Sequence, residues 1–330
     1  MDPETGPGHQ IAAQRHLTEV PASTRYNTMP WQVDACLSDP AARESAAAGL
    51  GCMLVIPALN ESATIRDVVC RALQYVRHIV VVDDGSTDGT ARVLEGLPIV
   101  VLRHAKTLGK AASLRDGMQY ALQQGAAAIV TLDGDGQHAP EDIPRLIAAS
   151  RQMPGMIVIG ARLHDSRRIP RARYFANRFA NFWIAWAAGY PLHDSQSGFR
   201  LYPAHLLRLL RVTANRSHGF VFESEILIEA ARAGIESVAV PIPAIYNPTA
   251  RPSHFRPVLD IVRITRMVAW KLLKRGMYLT GLARSLRSTR RARETHSFTT
   301  PGHEATVSRS YSNFRHRRVD YSEVNSAEHG

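Results

Sequence analysis

Apolar residues fall along this chain in two alternating patterns: short unbroken runs, and longer stretches with a repeat of three to four. The run at 51–58 (GCMLVIPA) predicts a buried strand. Ile65, Val68, Val69, Ala72, Leu73 and Val76 then predict a helix with Ser62 as its N-cap. His78–Val82 predicts a second strand, closed by Asp83-Asp84-Gly85-Ser86. A short helix leads to a strand at Pro98–Leu102, a helix at Gly109–Gln124, a strand at Ala127–Leu132, a helix at Glu141–Gln152 and a strand at Met156–Gly160. Strands alternating with helices predict an α/β fold, a mostly parallel central sheet with helices on both faces. Such sheets bind ligands at the carboxyl ends of their strands. The polar clusters fall there: Asn60 and Glu61 after the first strand, Asp83 and Asp84 after the second, Asp133 and Asp135 after the fourth.

From about residue 161 the pattern loosens. Arg171–Ala188 reads as an aromatic-rich helix, Ser197–Tyr202 as a strand, Glu223–Ala233 as a helix, Glu236–Ile245 as a strand or strand pair, and Pro257–Ala283 as one long helix. The chain divides into a mostly irregular extension (1–50), a main domain (51–250), a basic amphipathic segment (251–287) and a disordered tail (288–330). The longest strongly apolar stretch, Phe182–Tyr190, is far shorter than the roughly 20 residues of a spanning helix. No transmembrane helix is expected. The opening residues, with Asp2 and Glu4, lack a signal-peptide pattern.

Charge sharpens this division. The formal net charge is +11, but residues 1–250 hold 24 Lys and Arg against 23 Asp and Glu. Residues 251–293 hold 12 basic residues and one acid, Asp260. A near-neutral body with a basic extension suits an anionic surface, either nucleic acid or membrane. Three cysteines, Cys36, Cys52 and Cys70, form no Cys-x-x-Cys, so a reduced compartment is expected.

Several chemistries are excluded by spacing. The turn after the first strand, Pro57-Ala58-Leu59-Asn60-Glu61, is no dinucleotide fingerprint, and Gly109-Lys110-Ala111 is no P-loop. Asp133-Gly134-Asp135-Gly136-Gln137-His138 lacks the Gly and Glu of a calcium loop. What remains is an Asp-x-Asp in a turn, where both carboxylates can approach one Mg²⁺ or Mn²⁺ and Gln137 can add an amide oxygen. A lone pair of this kind is as often a solvated turn. Three acidic loops at one sheet edge favour function.

At these residues the chain resembles glycosyltransferase family 2, of the GT-A nucleotide-sugar-binding fold. The resemblance rests on Val55-Ile56-Pro57-Ala58-Leu59-Asn60-Glu61, on Val82 to Thr90 (VDDGSTDGT) and on Asp133 to His138. Gly160-Ala161-Arg162, Asp194 to Arg200 (DSQSGFR) and Phe222-Glu223-Ser224-Glu225 are similar to dolichol-phosphate mannose synthases and bacterial polyprenyl-phosphate glycosyltransferases. The resemblance covers about 51–275 and implies roles. Pro57, Leu59 and Glu61 grip the nucleoside, Val82 and Asp84 close on the base, and Asp133 and Gly134 meet ribose and phosphates. Asp133, Asp135 and Gln137 hold the metal, Mg²⁺ or Mn²⁺. Arg162 and Arg173 serve donor and acceptor phosphates, joined by Asn177, Arg200 and His254. Asp83 only shapes its turn, and Lys110 reads as a solvated lysine. The chain departs from the family pattern at Asn177, where the family has Ser. It departs again at Asn247 and His254, where eukaryotic members carry Arg and Lys; Arg251 and Arg256 lie nearby.

The implied reaction moves a hexose, with inversion, from a GDP- or UDP-sugar to a polyprenyl phosphate. An anionic phosphate acceptor needs clustered cations and no general base. Asp135, Arg162 and Arg173 are the expected catalytic residues. The helix after Pro257 carries Val258, Ile261, Val262, Thr265, Val268, Ala269 and Leu272 on one stripe and basic residues elsewhere. With the aromatic helix from Arg171, it is expected to rest on an anionic cytoplasmic leaflet as a peripheral anchor. The alternative is a family 2 enzyme acting on a hydroxyl of a glycan, protein or small molecule. A nucleic-acid partner is not expected, because it leaves the acidic loops without a purpose.

Overall fold

The computed structural model describes residues 51–162, 171–211, 221–243, 245 and 257–286. The expected extension and tail, and the segment holding Asn247, Arg251, His254 and Arg256, lie outside the described residues. The elements run β1 (Cys52–Ala58), α1 (Ile65–Ala72), β2 (His78–Asp83), α2 (Thr90–Val93), β3 (Val100–Arg103), α3 (Lys110–Gln123), β4 (Ala128–Thr131), α4 (Ile143–Gln152), β5 (Ile157–Ala161), α5 (Arg171–Ala188), β6 (Arg200–Pro203), α6 (Ala204–Leu209), α7 (Val221–Arg232), β7 (Ser237–Pro241) and α8 (Pro257–Lys274). A last helix, α9, covers 279–286.

The seven strands order as β3-β2-β1-β4-β6-β5-β7. β1 is buried at every position because it lies between two parallel neighbours, β2 and β4. Unbroken apolar runs are what a strand covered on both faces requires. α3 seals one side of β1 and β2 through Leu114, Met118 and Ala121. Gly117 lets it come close: a Cβ there would stand 2.4 Å from Val55 Cγ1.

Two features of this order make the site. The chain winds outward from β1 through β2 to β3, then returns to β1's other side as β4. That reversal opens a crevice at the carboxyl ends of β1 and β4, where ligands bind in sheets of this type. β6 runs antiparallel between β4 and β5, pairing Arg200 with both Thr131 and Ile159. An antiparallel strand starts where its neighbours end, so the segment from Asp194 to Phe199 is delivered to the same crevice.

Several boundaries differ from the sequence reading. α1 begins at Ile65, and the Ser62 amide donates to Asp88 rather than Ser62 capping the helix. β6 starts at Arg200, because that side chain draws the Ser195 and Ser197 carbonyls into a loop. The short α6 was not foreseen. The long C-terminal helix breaks after Lys274 at a 3-10 turn, Gly276–Tyr278, where Met277 has φ 64° and Arg275 lies 3.5 Å from the Tyr278 ring centroid. Trp186 of α5 holds this break by donating to the Met277 carbonyl at 3.1 Å.

α8 follows the expected stripe in part, at Val268 and Leu272. Ile264, Val268 and Leu272 point inward, while Val262 is 57% exposed. α8 packs against both α5 and α7, and Lys271 contacts Glu225 at 2.7 Å and Glu229 of α7. This lysine, expected on the free basic face, instead ties α8 to the body. The outward face is mixed: Trp270 is 59% and Leu273 62% exposed, Arg263, Arg266 and Lys274 are exposed beside them, and Phe175, Phe179 and Phe182 of α5 are exposed too. No helix among the described residues is long and apolar enough to cross a membrane.

Candidate active site

The first two loops are welded together. Asn60 adopts φ 56°, a left-handed conformation that Asn tolerates better than most residues. Its amide donates to Ser86 Oγ at 2.8 Å, and its side-chain oxygen accepts from the Thr87 amide at 2.8 Å. The Glu61 amide donates to Thr90 Oγ1 at 2.8 Å. Thr64 Oγ1 donates to the Gly134 carbonyl at 2.8 Å, joining this assembly to the loop after β4. Gly134 is needed for the closeness: a Cβ would lie 2.9 Å from Ile65 Cδ1. Pro57 is buried at the end of β1, with Leu59 and Glu61 half-buried beyond it. Val82, expected against the base, is fully buried in the core beneath α3.

Asp83 and Asp84 are both buried and serve the protein. Asp83 accepts the Ser86 amide at 2.9 Å and pairs with Arg103 at 3.2 Å, so it shapes its turn as expected. Asp84 accepts the Leu108 and Gly109 amides, each at 2.8 Å, and the His104 ring at 2.7 Å. Burial opposes ionisation of Asp84, but His104 and these amides outweigh it and hold its pKa below the usual carboxylate value. Both oxygens are thus engaged in gripping the loop before α3, not turned to a base.

That loop presents Lys110, the first residue of α3. Its ammonium lies 2.7 Å from Asp133 Oδ1 and 3.3 Å from Glu223 Oε2. Burial alone would lower the lysine pKa, yet the two carboxylates hold it above its ordinary value. The expected solvated lysine is therefore a counter-ion inside the site. The cue was its position opening a helix after a β-strand; Glu223, in the Phe-Glu-Ser-Glu motif, is its second partner. Gly198 completes the fit, since a Cβ there would fall 2.5 Å from Asp133 Oδ2 and 2.9 Å from Lys110 Nζ.

Asp133 and Asp135 behave oppositely. Burial raises the Asp133 pKa, but Lys110 first, then Arg162, bring it below normal. Burial and the neighbouring Asp133 charge push Asp135 up. Asp135 accepts the Gln137 amide at 3.0 Å. A half-buried carboxylate destabilised by a second carboxylate fits a divalent cation, which would relieve both penalties. Among the described residues no group of three His, Cys, Asp or Glu is poised to hold a metal. The turn instead offers two carboxylates, Asp133 and Asp135, with the amide residue Gln137 beside them, a chemistry that suits magnesium-type binding through one or two carboxylates with substrate phosphates completing the shell.

On the far wall, Asp194 is fully buried and accepts the Arg162 amide at 3.0 Å and Nε at 3.2 Å. Asn181 of α5 steadies the next residue, accepting the Ser195 amide at 2.8 Å and hydroxyl at 2.6 Å. Arg200, expected on the acceptor phosphate, is buried beneath the loop. It donates to the carbonyls of Ser195 and Ser197 at 2.7 Å and of Glu223 at 2.9 Å, and to the Tyr202 hydroxyl at 3.3 Å. Its charge organises the loop instead of meeting solvent. His138 packs 5.5 Å from the Phe199 ring, and burial with nearby Arg162 lowers its pKa to about 3, so it stays neutral. Asn177 is buried on α5, one turn before Asn181. The Arg173 side chain and His254 lie outside the described residues.

The chain is similar to several known proteins. The family described as "Glycosyl transferase family 2" matches residues 53–208. The polyprenol monophosphomannose synthase of Mycolicibacterium smegmatis is 31% identical over 209 residues, 58% of this chain and 76% of that protein. The undecaprenyl-phosphate mannosyltransferase of Micrococcus luteus is 32% identical over 205 residues, covering 58% and 82%. A UDP-N-acetylglucosamine–dolichyl-phosphate N-acetylglucosaminyltransferase of Methanococcus voltae is 29% identical, covering 59% and 85%. Among solved structures, glucosyl-3-phosphoglycerate synthase from Mycobacterium tuberculosis, crystallised with Mn²⁺, UDP and phosphoglyceric acid, superposes with a TM-score of 0.52. It is 22% identical, over 71% of this chain and 81% of that one.

Proposed function

The chain belongs to glycosyltransferase family 2 and has its GT-A fold, and on that premise we propose that it transfers a hexose from a GDP- or UDP-sugar to a polyprenyl phosphate. The relatives named for polyprenol, undecaprenyl phosphate and dolichyl phosphate support this acceptor class. One observation carries it against a hydroxyl acceptor. Asp194, the carboxylate beside Arg162, has no exposed surface and spends one oxygen on that arginine's amide and guanidinium. A hydroxyl acceptor needs a general base within reach. A phosphate monoester is already a nucleophilic anion and needs cations to overcome repulsion from the donor.

In this reading Pro57, Leu59, Glu61 and the backbone around Asp84 enclose the nucleoside. Asp133 and Gly134 meet ribose and diphosphate, and Lys110 keeps Asp133 ionised. Asp135 with Gln137 and Asp133 holds Mg²⁺ or Mn²⁺, which when bound supplies Lewis-acid stabilisation of the departing diphosphate. Arg162, oriented by Asp194, and Arg173 draw the acceptor phosphate in line with the anomeric carbon, with inversion as the outcome. Asn177 and His254 complete the acceptor side, and Arg200 positions the Ser195–Ser197 loop.

The exposed apolar faces of α5 and α8, flanked by Arg263, Arg266, Lys274 and Arg275, rest on an anionic cytoplasmic leaflet and bring the site to its lipid. An acceptor screen with nucleotide sugars tests the proposal. Transfer to polyprenyl phosphate is expected; transfer to hydroxyl acceptors alone would overturn it.

A further inference from the structure

His104 lies outside the site and in none of its motifs, yet it joins three parts of the wall behind it. Nδ1 stands 2.7 Å from Asp84 Oδ1 and Nε2 stands 2.9 Å from Asp116 Oδ2. Its own amide donates to the Asp83 carbonyl at 2.9 Å, continuing the β2–β3 pairing by one residue. Both ring nitrogens thus face carboxylates, which only accept, so both must carry protons. Asp84 holds the amides of Leu108 and Gly109, and Asp116 lies on α3 beyond Lys110. Gly109 precedes α3 with φ 97°, a conformation suited to Gly, so its amide direction fixes where the helix begins.

We propose that the His104 imidazolium, clamped between Asp84 and Asp116, is a positioning residue that sets the start of α3 and thereby places the Lys110 ammonium against Asp133. The consequence for donor binding rests on the functional reading above; the clamp itself does not. Burial would lower the His104 pKa, but the two carboxylates hold it up at about 9, with Asp116 the larger contributor, so the clamp is closed at neutral pH.

Amide hydrogen exchange on the full-length protein without substrate, comparing wild type with His104→Gln, tests the clamp directly. The Leu108 and Gly109 amides are expected to lose about tenfold protection, a local opening of one decade, while Met118 and Ala121 inside α3 keep theirs. Asp116→Asn, on the more exposed side of the clamp, keeps an acceptor and is expected to lose about threefold at the same two amides. It keeps the test decisive should His104→Gln fail to fold. In transfer assays, a donor KM raised about tenfold with the acceptor KM unchanged is expected for His104→Gln. A purely structural histidine would lower the folded fraction and leave both KM values alone. Unchanged protection at 108–109, or an equal loss throughout α3, would overturn the clamp. If wild type turns over no nucleotide sugar, the functional reading falls, while exchange still decides the clamp.

Discussion

Replacing Lys110 by Met removes an ammonium that lies 2.7 Å from one carboxylate and 3.3 Å from another. At an effective dielectric of about 20 these contacts are worth roughly 6 and 5 kcal/mol before desolvation. Taking the ammonium out of water offsets several kcal/mol of that. The larger effect is on the partners, since Asp133 and Glu223 would remain in the site without a cation. Breaking such a pair costs about 3–5 kcal/mol. For a body of this size each kcal/mol moves Tm by about 2–4 °C, so a fall of roughly 6–20 °C is expected. Thermal unfolding of wild type and Lys110→Met at pH 7 measures it. Adding Glu223→Gln to the variant removes one stranded carboxylate and should recover part of the loss. A solvated lysine would change stability by no more than about 0.5 kcal/mol. A Tm within about 2 °C of wild type would therefore refute the counter-ion assignment.

Other outcomes follow from the same geometry. His104 is raised from 6.5 to about 9 in the fold, so its contribution is fully present below pH 6.5 and is lost as pH rises through about 9. That shift is roughly 3 kcal/mol at full strength, reduced to about 1–2 kcal/mol by solvent at the half-open Asp116 and by Arg115 beside it. Urea titrations at pH 6 and pH 10 should show a difference that Asp116→Asn narrows; an unchanged difference in that variant contradicts the assignment. Arg200→Met strands three buried carbonyls and should cost about 3 kcal/mol or more in chemical denaturation; near-normal stability would show that the loop does not depend on it. Phe179→Glu and Leu273→Glu alter exposed positions, so folding should persist while flotation with anionic liposomes weakens about tenfold per change. Undiminished flotation, or none by wild type at physiological salt, would remove the docking surface.

The sheet was legible because its strands are buried on both faces, which leaves unbroken apolar runs such as Leu54-Val55-Ile56 and Val80-Val81-Val82. The acidic loops were legible because polar residues must end such runs, and their placement at one edge follows from parallel strands. Less legible was anything set by long-range electrostatics. Whether Lys110 meets water or Asp133 depends on Gly198, 88 residues later in the chain, leaving room for the pair. Arg200 looked like a phosphate ligand because a buried arginine and a ligand arginine are the same letter; its role came from three carbonyls that no periodicity encodes. On α8 only Lys271 was misassigned to the basic face, because it is polar yet satisfied inside by Glu225 and Glu229.

The most direct measurement follows the lipid product itself. Full-length protein is incubated with GDP- or UDP-hexose, Mg²⁺ or Mn²⁺ and polyprenyl phosphate in anionic vesicles, beside Asp135→Ala. One hexose added to the lipid phosphate for each nucleoside diphosphate released is expected from wild type, and no such product from the variant. Hexose found only on hydroxyl acceptors, or near-normal lipid product from Asp135→Ala, would contradict this expectation.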